Sequence, residues 1–284
     1  MAISNAPLSV KGLRKHYPSF RLQDVSFDLA PGVITGFIGR NGAGKTTTLN
    51  SILSFVHPEE GEVSFWGMRL RDRAGEIKRK IGFVSAGMTY YTGKKLKTIT
   101  DVTRSFYPAW DEETYRNYMA RFALDENKTP AALSNGMKIK YALALALSHG
   151  AELMLLDEPT SGLDPISREE LIEIFLSLRD AGKTILFSTH ITADLEKCAD
   201  RILFIQKGKL TADMTLEAFA DAYRVADCPG DIPPEILQLS LGACRSRDGY
   251  TVLMRRQSAE ERNVAARKPT LDEIMIHLDK EDAQ

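Results

Sequence analysis

Apolar and polar residues alternate near the start of the chain in two segments, Leu8-Ser9-Val10-Lys11-Gly12-Leu13 and Leu22-Gln23-Asp24-Val25-Ser26-Phe27-Asp28-Leu29. A period of two predicts a pair of half-buried antiparallel strands, joined by a turn around Pro18-Ser19. Glu62–Trp66 and Lys80–Val84 are shorter strands of the same kind. Three further runs, Val33–Ile38, Leu153–Leu156 and Thr184–Ser188, are apolar almost throughout and fit strands covered on both faces of a parallel sheet. Between Thr98 and Gly150 the pattern is helical and shows no convincing strand. Asp111 there is an N-cap candidate, followed by an acidic first turn and helical apolar spacing to Phe122. Lys138–Leu147 is a second helix, whose alanines permit close packing.

Downstream, Arg168–Asp180 predicts a helix ended by Gly182. Ala199–Gln206 and Lys209–Ala212 flank Lys207-Gly208 as a hairpin, and Thr215–Tyr223 reads as a helix. Pro229-Gly230-Asp231-Ile232-Pro233-Pro234 has the composition of a linker, Tyr250–Met254 that of a strand, and Thr270–Leu278 that of a capped terminal helix. No internal repeat or low-complexity tract interrupts the series.

Composition changes this picture little. The 284 residues are 43% apolar and 26% charged, ordinary for a globular chain large enough to bury a core. A formal net charge of −1 gives no reason to expect a nucleic-acid partner. Cys198, Cys228 and Cys244 lack metal-ligand spacing and fit a reduced cytosolic chain. The first seven residues carry no pattern of an export signal, and the longest helical apolar stretch, Tyr141–Leu147, is far short of the ~20 residues that span a bilayer. A membrane role is therefore expected to come through a partner.

The chemistry concentrates at strand ends. Gly39-Arg40-Asn41-Gly42-Ala43-Gly44-Lys45-Thr46 matches GxxxxGK[ST], lies between a predicted buried strand and a predicted helix, and so predicts a phosphate-binding loop. Its glycines let successive N–H groups face phosphates at a helix N-terminus, Lys45 supplies a point charge, and Thr46 is placed to ligate Mg²⁺. Leu153–Leu156 ends in Asp157-Glu158. Packing alone does not favour two carboxylates at the end of a buried strand, so they suggest a site: Asp157 to hold hydrated Mg²⁺, directly or through water, and Glu158 to activate the attacking water. The run Thr184–Ser188 delivers His190 to the same edge, as a candidate γ-phosphate contact. Tyr17 is open to two readings, an adenine platform or an edge-strand aromatic. Ser134-Asn135-Gly136-Met137, taken alone, reads as no more than a helix N-cap.

In order and rough spacing, Gly39–Thr46, Leu133–Met137, Leu153–Glu158, Ser161–Asp164 and His190 resemble an ATP-binding cassette (ABC) ATPase over about residues 8–222. The resemblance implies an α/β P-loop NTPase with an antiparallel β subdomain and an inserted helical subdomain at about 88–150. It sets the ATPase domain at 1–222 and a small α+β extension at 223–284. It implies that Tyr17 stacks on adenine, that Gly39 to Thr47 cradle ATP, and that Glu158 and His190 are catalytic. By the same resemblance Ser134, Asn135, Gly136 and Met137 form a signature that acts on the opposite subunit's γ-phosphate, and Asp164 lies in a D-loop. The expected partners are a second cassette and a membrane-spanning permease, and the expected location is the cytoplasmic face of the membrane.

The single cassette, Ser105–Asp111 and the ending Pro269–Ile274 look like bacterial exporter ATPases of the antibiotic-resistance and bacitracin type. A soluble regulatory or nucleic-acid-associated ATPase of the superfamily is the rival, but its usual second cassette or coiled-coil insert is missing. One departure stands out: Ser85, Ala86 and Gly87 occupy the turn where the family has a glutamine.

Overall fold

The structure is a computed structural model that describes residues 6–85 and 91–281. Its first part comprises β1 (Ser9–Tyr17), β2 (Phe20–Asp28), β3 (Ile34–Ile38), α1 (Lys45–Ile52), β4 (Glu60–Phe65), β5 (Met68–Arg69), α2 (Leu70–Lys80) and β6 (Ile81–Ser85). Three helices follow, α3 (Leu96–Arg104), α4 (Glu112–Arg121) and α5 (Asn135–Ser148). Then come β7 (Leu153–Asp157), α6 (Pro165–Asp180), β8 (Thr184–Thr189), α7 (Thr192–Cys198), β9 (Arg201–Gln206), β10 (Lys209–Thr215) and α8 (Leu216–Asp221). The chain closes with β11 (Tyr223–Pro229), α9 (Pro234–Leu237), β12 (Gly242–Ser246), β13 (Gly249–Arg255), α10 (Arg256–Glu261) and α11 (Leu271–Glu281).

The central sheet has the order β10-β9-β3-β8-β7-β6, parallel except for β10 at one edge. Its inner strands β9, β3, β8 and β7 are buried on both faces, and their alternation divides two cores. Phe37, Leu153, Leu155, Leu186, Leu203 and Ile205 join Leu8, Val10, Leu13, Val25 and Phe27 of the antiparallel sheet β2-β1-β4-β5. Ile38, Met154, Leu156, Ile185, Phe187 and Ile202 face the other way, onto α5, α6 and α7. The antiparallel pair is longer than its alternation suggested, because Tyr17 pairs with Phe20 and leaves only Pro18-Ser19 as the turn.

Residues 96–148 hold three helices and no strand, as the pattern predicts. Asp111 caps α4 by accepting from the N–H groups of Glu113 and Thr114, and Ser134 caps α5 by accepting from that of Met137. Thr100 joins all three helices, its hydroxyl 2.9 Å from the Tyr115 hydroxyl and 2.8 Å from that of Tyr141.

The C-terminal part departs most from expectation. The predicted helix through Tyr223 ends at Asp221, because Tyr223 and Val225 alternate with Arg224 and start a strand. Pro229 closes that strand, so the supposed linker is a short turn leading to α9. The strands form a sheet of order β11-β13-β12 over a small core of Ala226, Cys228, Val252, Met254 and Ala259. Leu271, Ile274, Met275 and Leu278 of α11, in contrast, are buried in the core beneath the central sheet. Burying each such side chain contributes about 1.5–3 kcal/mol, against about 0–1 kcal/mol for an exposed ion pair, so apolar packing is what docks this helix.

Candidate functional site

The segment Gly39–Gly44 leaves the C-terminal end of β3, which lies between β8 and β9, and runs into α1. That edge of a parallel sheet, where strand order reverses, is where α/β folds bind ligands. Two glycines are required by local geometry. At Gly39 a Cβ would sit 2.4 Å from the Ile205 carbonyl oxygen, and Gly44 caps α1 at φ 116°, with the Phe20 ring 2.8 Å from where a Cβ would be.

Lys45 is buried, and its ammonium donates to the carbonyls of Gly39 at 2.7 Å and Arg40 at 3.2 Å. Its nearest carboxylate is Glu158, with Oε1 at 3.4 Å. A desolvated ammonium held by two neutral carbonyls and one carboxylate is poised for a stronger anion, and a phosphate entering the loop supplies one.

On the neighbouring strand Asp157 is 7% exposed. It accepts from the Ser188 hydroxyl at 2.6 Å and from the Thr46 hydroxyl at 3.2 Å. Among the described residues no three His, Cys, Asp or Glu side chains converge as a complete metal cage. A hydroxyl and a carboxylate side by side at a phosphate loop are hard oxygen donors of the kind that fit Mg²⁺, which is held by one or two protein ligands plus phosphates and water.

Glu158 has a positive φ of 53°, uncommon for a residue with a side chain. Its N–H donates to the Ser188 carbonyl at 2.9 Å, so the strain is held by the adjacent strand. The turn puts the carboxylate between Lys45 and His190, whose Nδ1 is 2.7 Å from Oε2. His190 itself is 40% exposed and reachable.

The remaining candidates are placed elsewhere. Asp164 caps α6, accepting from the N–H groups of Ile166 and Ser167 and from the Ser167 hydroxyl, and these bonds hold its carboxyl below the usual range. Ser134 caps α5, and Gly136 lies against Leu163 of the turn before α6. Among the described residues, Ser134 bonds within the first turn of α5, and Gly136 has Leu163 and Ser167 beside it. Tyr17 is half-buried at the end of β1, with the Lys15 ammonium 5.7 Å from its ring centre. Arg168 donates to Asp194 at 2.5 Å, tying α6 to α7, the helix that follows His190.

Two neighbours escaped the sequence reading. Ser188 orients Asp157, and its place near the end of β8, two residues before His190, was an available signal. Phe20 packs on Gly44, a contact between segments far apart that no local pattern encodes. Ala86 and Gly87, at the turn lacking the expected glutamine, lie outside the described residues. Ser85 is the last residue of β6 and is in register with Asp157.

Residues 22–161 match the family described as ABC transporter. The chain is 30% identical over 203 residues to the ABC transporter ATP-binding protein YtrB of Bacillus subtilis, covering 71% of this chain and 69% of that one. It is 34% identical over 217 residues to the Nod factor export ATP-binding protein I of Burkholderia thailandensis, covering 74% and 71%. Among solved structures, an ATP-binding subunit of an ABC transporter superimposes with a TM-score of 0.68 at 30% identity, over 74% of this chain and 90% of that one. Cassette geometry, sequence and fold agree: the chain belongs to the ABC transporter ATP-binding proteins, the ATP-hydrolysing subunits that work with membrane permeases.

Proposed function

We propose that this subunit binds Mg-ATP on Gly39–Thr47 and hydrolyses it with Glu158 as general base and His190 as its orienting partner and γ-phosphate contact. The observation that carries the reading is the chain Lys45–Glu158–His190, with contacts of 3.4 and 2.7 Å. When phosphate draws off the Lys45 ammonium, the Glu158 carboxylate is left free to accept from a water while His190 keeps it oriented. Thr46 and Asp157 would hold Mg²⁺, which supplies charge neutralisation at the phosphates. Tyr17, at the far end of β1, is proposed to stack on adenine.

Ser134 to Met137 are proposed to serve a second cassette, a reading supported by the place of Ser134 at the cap of α5 and of Gly136 beside Leu163 and Ser167. Two copies arranged head to tail would let each signature reach the other's nucleotide, with Asp164 at the seam. Residues 1–222 would form the ATPase domain and 223–284 its extension.

The permease is proposed to dock in a groove of about 320 Å³ between the central sheet and the helical region, lined by Phe55, Phe83, Tyr107, Leu145 and His149 among others. Phe55 and the nearby Phe106 are 63% and 70% exposed, an unusual outlay of aromatic surface for a free face. No helix among the described residues is long and apolar enough to cross a membrane. The reading therefore puts the subunit on the cytoplasmic face, held there by its partner. Similarity to a protein named for Nod factor export supports outward transport.

Replacing Lys45 with Ala tests the nucleotide site. The variant should fold but lose Mg-ATP binding by about 100-fold or more, as a buried cation facing phosphate is removed. Unchanged affinity and turnover would remove Lys45, and with it the proposed site, from the mechanism.

A further inference from the structure

The terminal helix α11 reaches both sides of the nucleotide site. At its start the Leu271 N–H donates to Glu196 at 2.6 Å, and the Thr192 hydroxyl donates to Asp272 at 3.4 Å. Thr192 and Glu196 belong to α7, which begins two residues after His190. Towards its end, the Gln206 side chain donates to the Leu278 carbonyl at 3.4 Å. There Asp279 meets Arg40 of the phosphate loop, with 2.5 Å between Oδ2 and Nη1. Met275 and Asp279, four residues apart and so on one face, line a cleft of about 170 Å³ with Arg40–Ala43 and the end of β9.

Docking of α11 does not need this ion pair, since four buried apolar residues hold the helix in the main core. The charge of Asp279 therefore does something else. It is an anion at the rim of a loop that receives phosphates, which opposes them, and it occupies a guanidinium whose bidentate fork suits phosphate. The Arg40 backbone is engaged as well, because its carbonyl accepts from Lys45. Nucleotide that pulls Lys45 towards its phosphates disturbs the residue that carries the tethered side chain.

We propose that Asp279 is a positioning residue that holds the Arg40 guanidinium on the terminal helix, so that ATP and α11 compete for one cation and the extension sets nucleotide affinity. The proposal rests on the reading that Gly39–Thr47 binds ATP. It makes the C-terminal extension a working part of the site, and nucleotide arrival frees the end of α11 beyond Leu278 from its tether to the loop.

The test is calorimetric ATP affinity of the full chain in Asp279→Asn, Asp279→Glu, Arg40→Ala and the Arg40→Ala/Asp279→Asn pair, at low and high salt. Asp279→Asn should tighten binding about two- to fivefold, the range open to an ion pair this exposed. Asp279→Glu should stay near wild type. In the Arg40→Ala background the gain should vanish, and high salt should erase it. Hydrogen exchange at the end of α11, 279–281, should rise with ATP in the wild type and not in Arg40→Ala. Unchanged or weaker binding in Asp279→Asn would overturn the proposal, as would a gain that survives in full without Arg40. Failure of the underlying reading looks different: wild type and Lys45→Ala would bind ATP equally, or neither would bind it.

Discussion

Glu158 and His190 face each other across the ends of two parallel strands, with 2.7 Å between Oε2 and Nδ1, although they are far apart in the chain. The pairing depends on the left-handed backbone at Glu158, which turns its side chain off the strand line towards β8. The N–H bond from Glu158 to the Ser188 carbonyl fixes that turn, so one strand supplies both the histidine and the brace for its partner.

Glu158→Gln should therefore keep ATP binding and lose turnover. The amide has nearly the same shape and can still meet His190, but it cannot take a proton from water, and a general base contributes about 10²–10⁴-fold to rate. With hydrolysis blocked, the variant should also accumulate as an ATP-dependent dimer by light scattering. A monomer in saturating ATP would count against the head-to-tail arrangement, and near-normal hydrolysis against the assignment of the base.

The cassette was legible because its chemistry sits at strand ends, where a buried apolar run giving way to Gly39–Thr46, Asp157-Glu158 or His190 has no packing explanation. Asp111 and Ser134 were legible as caps for the same local reason. The C-terminal sheet was not. Gly242–Ser246 is a strand only because β13 pairs with it, and Tyr223 leaves the helical pattern because Arg255 lies opposite it across the sheet. The contacts of Phe20 with Gly44 and of Asp279 with Arg40 arise from packing between remote segments, and neither residue type signals a partner by itself. Helix α2 leaves a weak apolar pattern, because its eleven residues bury little more than Leu70 and Ile77.

The aromatic residues in and around the helical region divide into two kinds. Trp110 packs on the core and donates to Glu112 at 3.1 Å, and Tyr107 stacks on His149 with ring centres 4.0 Å apart, so their loss should impair folding. Tyr91, Phe55 and Phe106 are exposed. Phe55→Asp combined with Phe106→Asp should abolish co-purification with the permease while the melting temperature and basal hydrolysis stay near wild type. Retained co-purification would move the docking surface elsewhere.

Ser188→Ala tests the metal site from behind. The hydroxyl is Asp157's closest donor at 2.6 Å, and removing it leaves a buried acceptor short of a partner, at a cost of about 1–3 kcal/mol. Residues that orient a metal ligand typically matter by about 10–100-fold in metal affinity. The Mg²⁺ concentration for half-maximal hydrolysis should rise about tenfold, with little change in rate at saturating Mg²⁺. Unaltered Mg²⁺ dependence would mean that Thr46 and the backbone suffice to hold Asp157.

Acidification should loosen the terminal helix through Glu273. This carboxylate accepts from Arg267 at 2.6 and 2.9 Å and from the Thr270 N–H at 2.9 Å, and the Arg267 guanidinium is the main reason its pKa falls to about 2. A folded-state pKa below the unfolded value means stability that is fully present above the unfolded value and is lost as pH falls towards the folded one. The window is therefore from about 4.5, the ordinary glutamate value, down to about 2. Because Arg267 is exposed and Glu273 partly so, salt should shrink the effect. Hydrogen exchange at 271–281 should accelerate across that window in the wild type. In Glu273→Gln it should be faster from neutral pH and show less acid dependence, because the charge that titrates is gone. Equal acid dependence in the two proteins would assign the loosening to other carboxylates, with Asp272 beside Thr192 the first to examine.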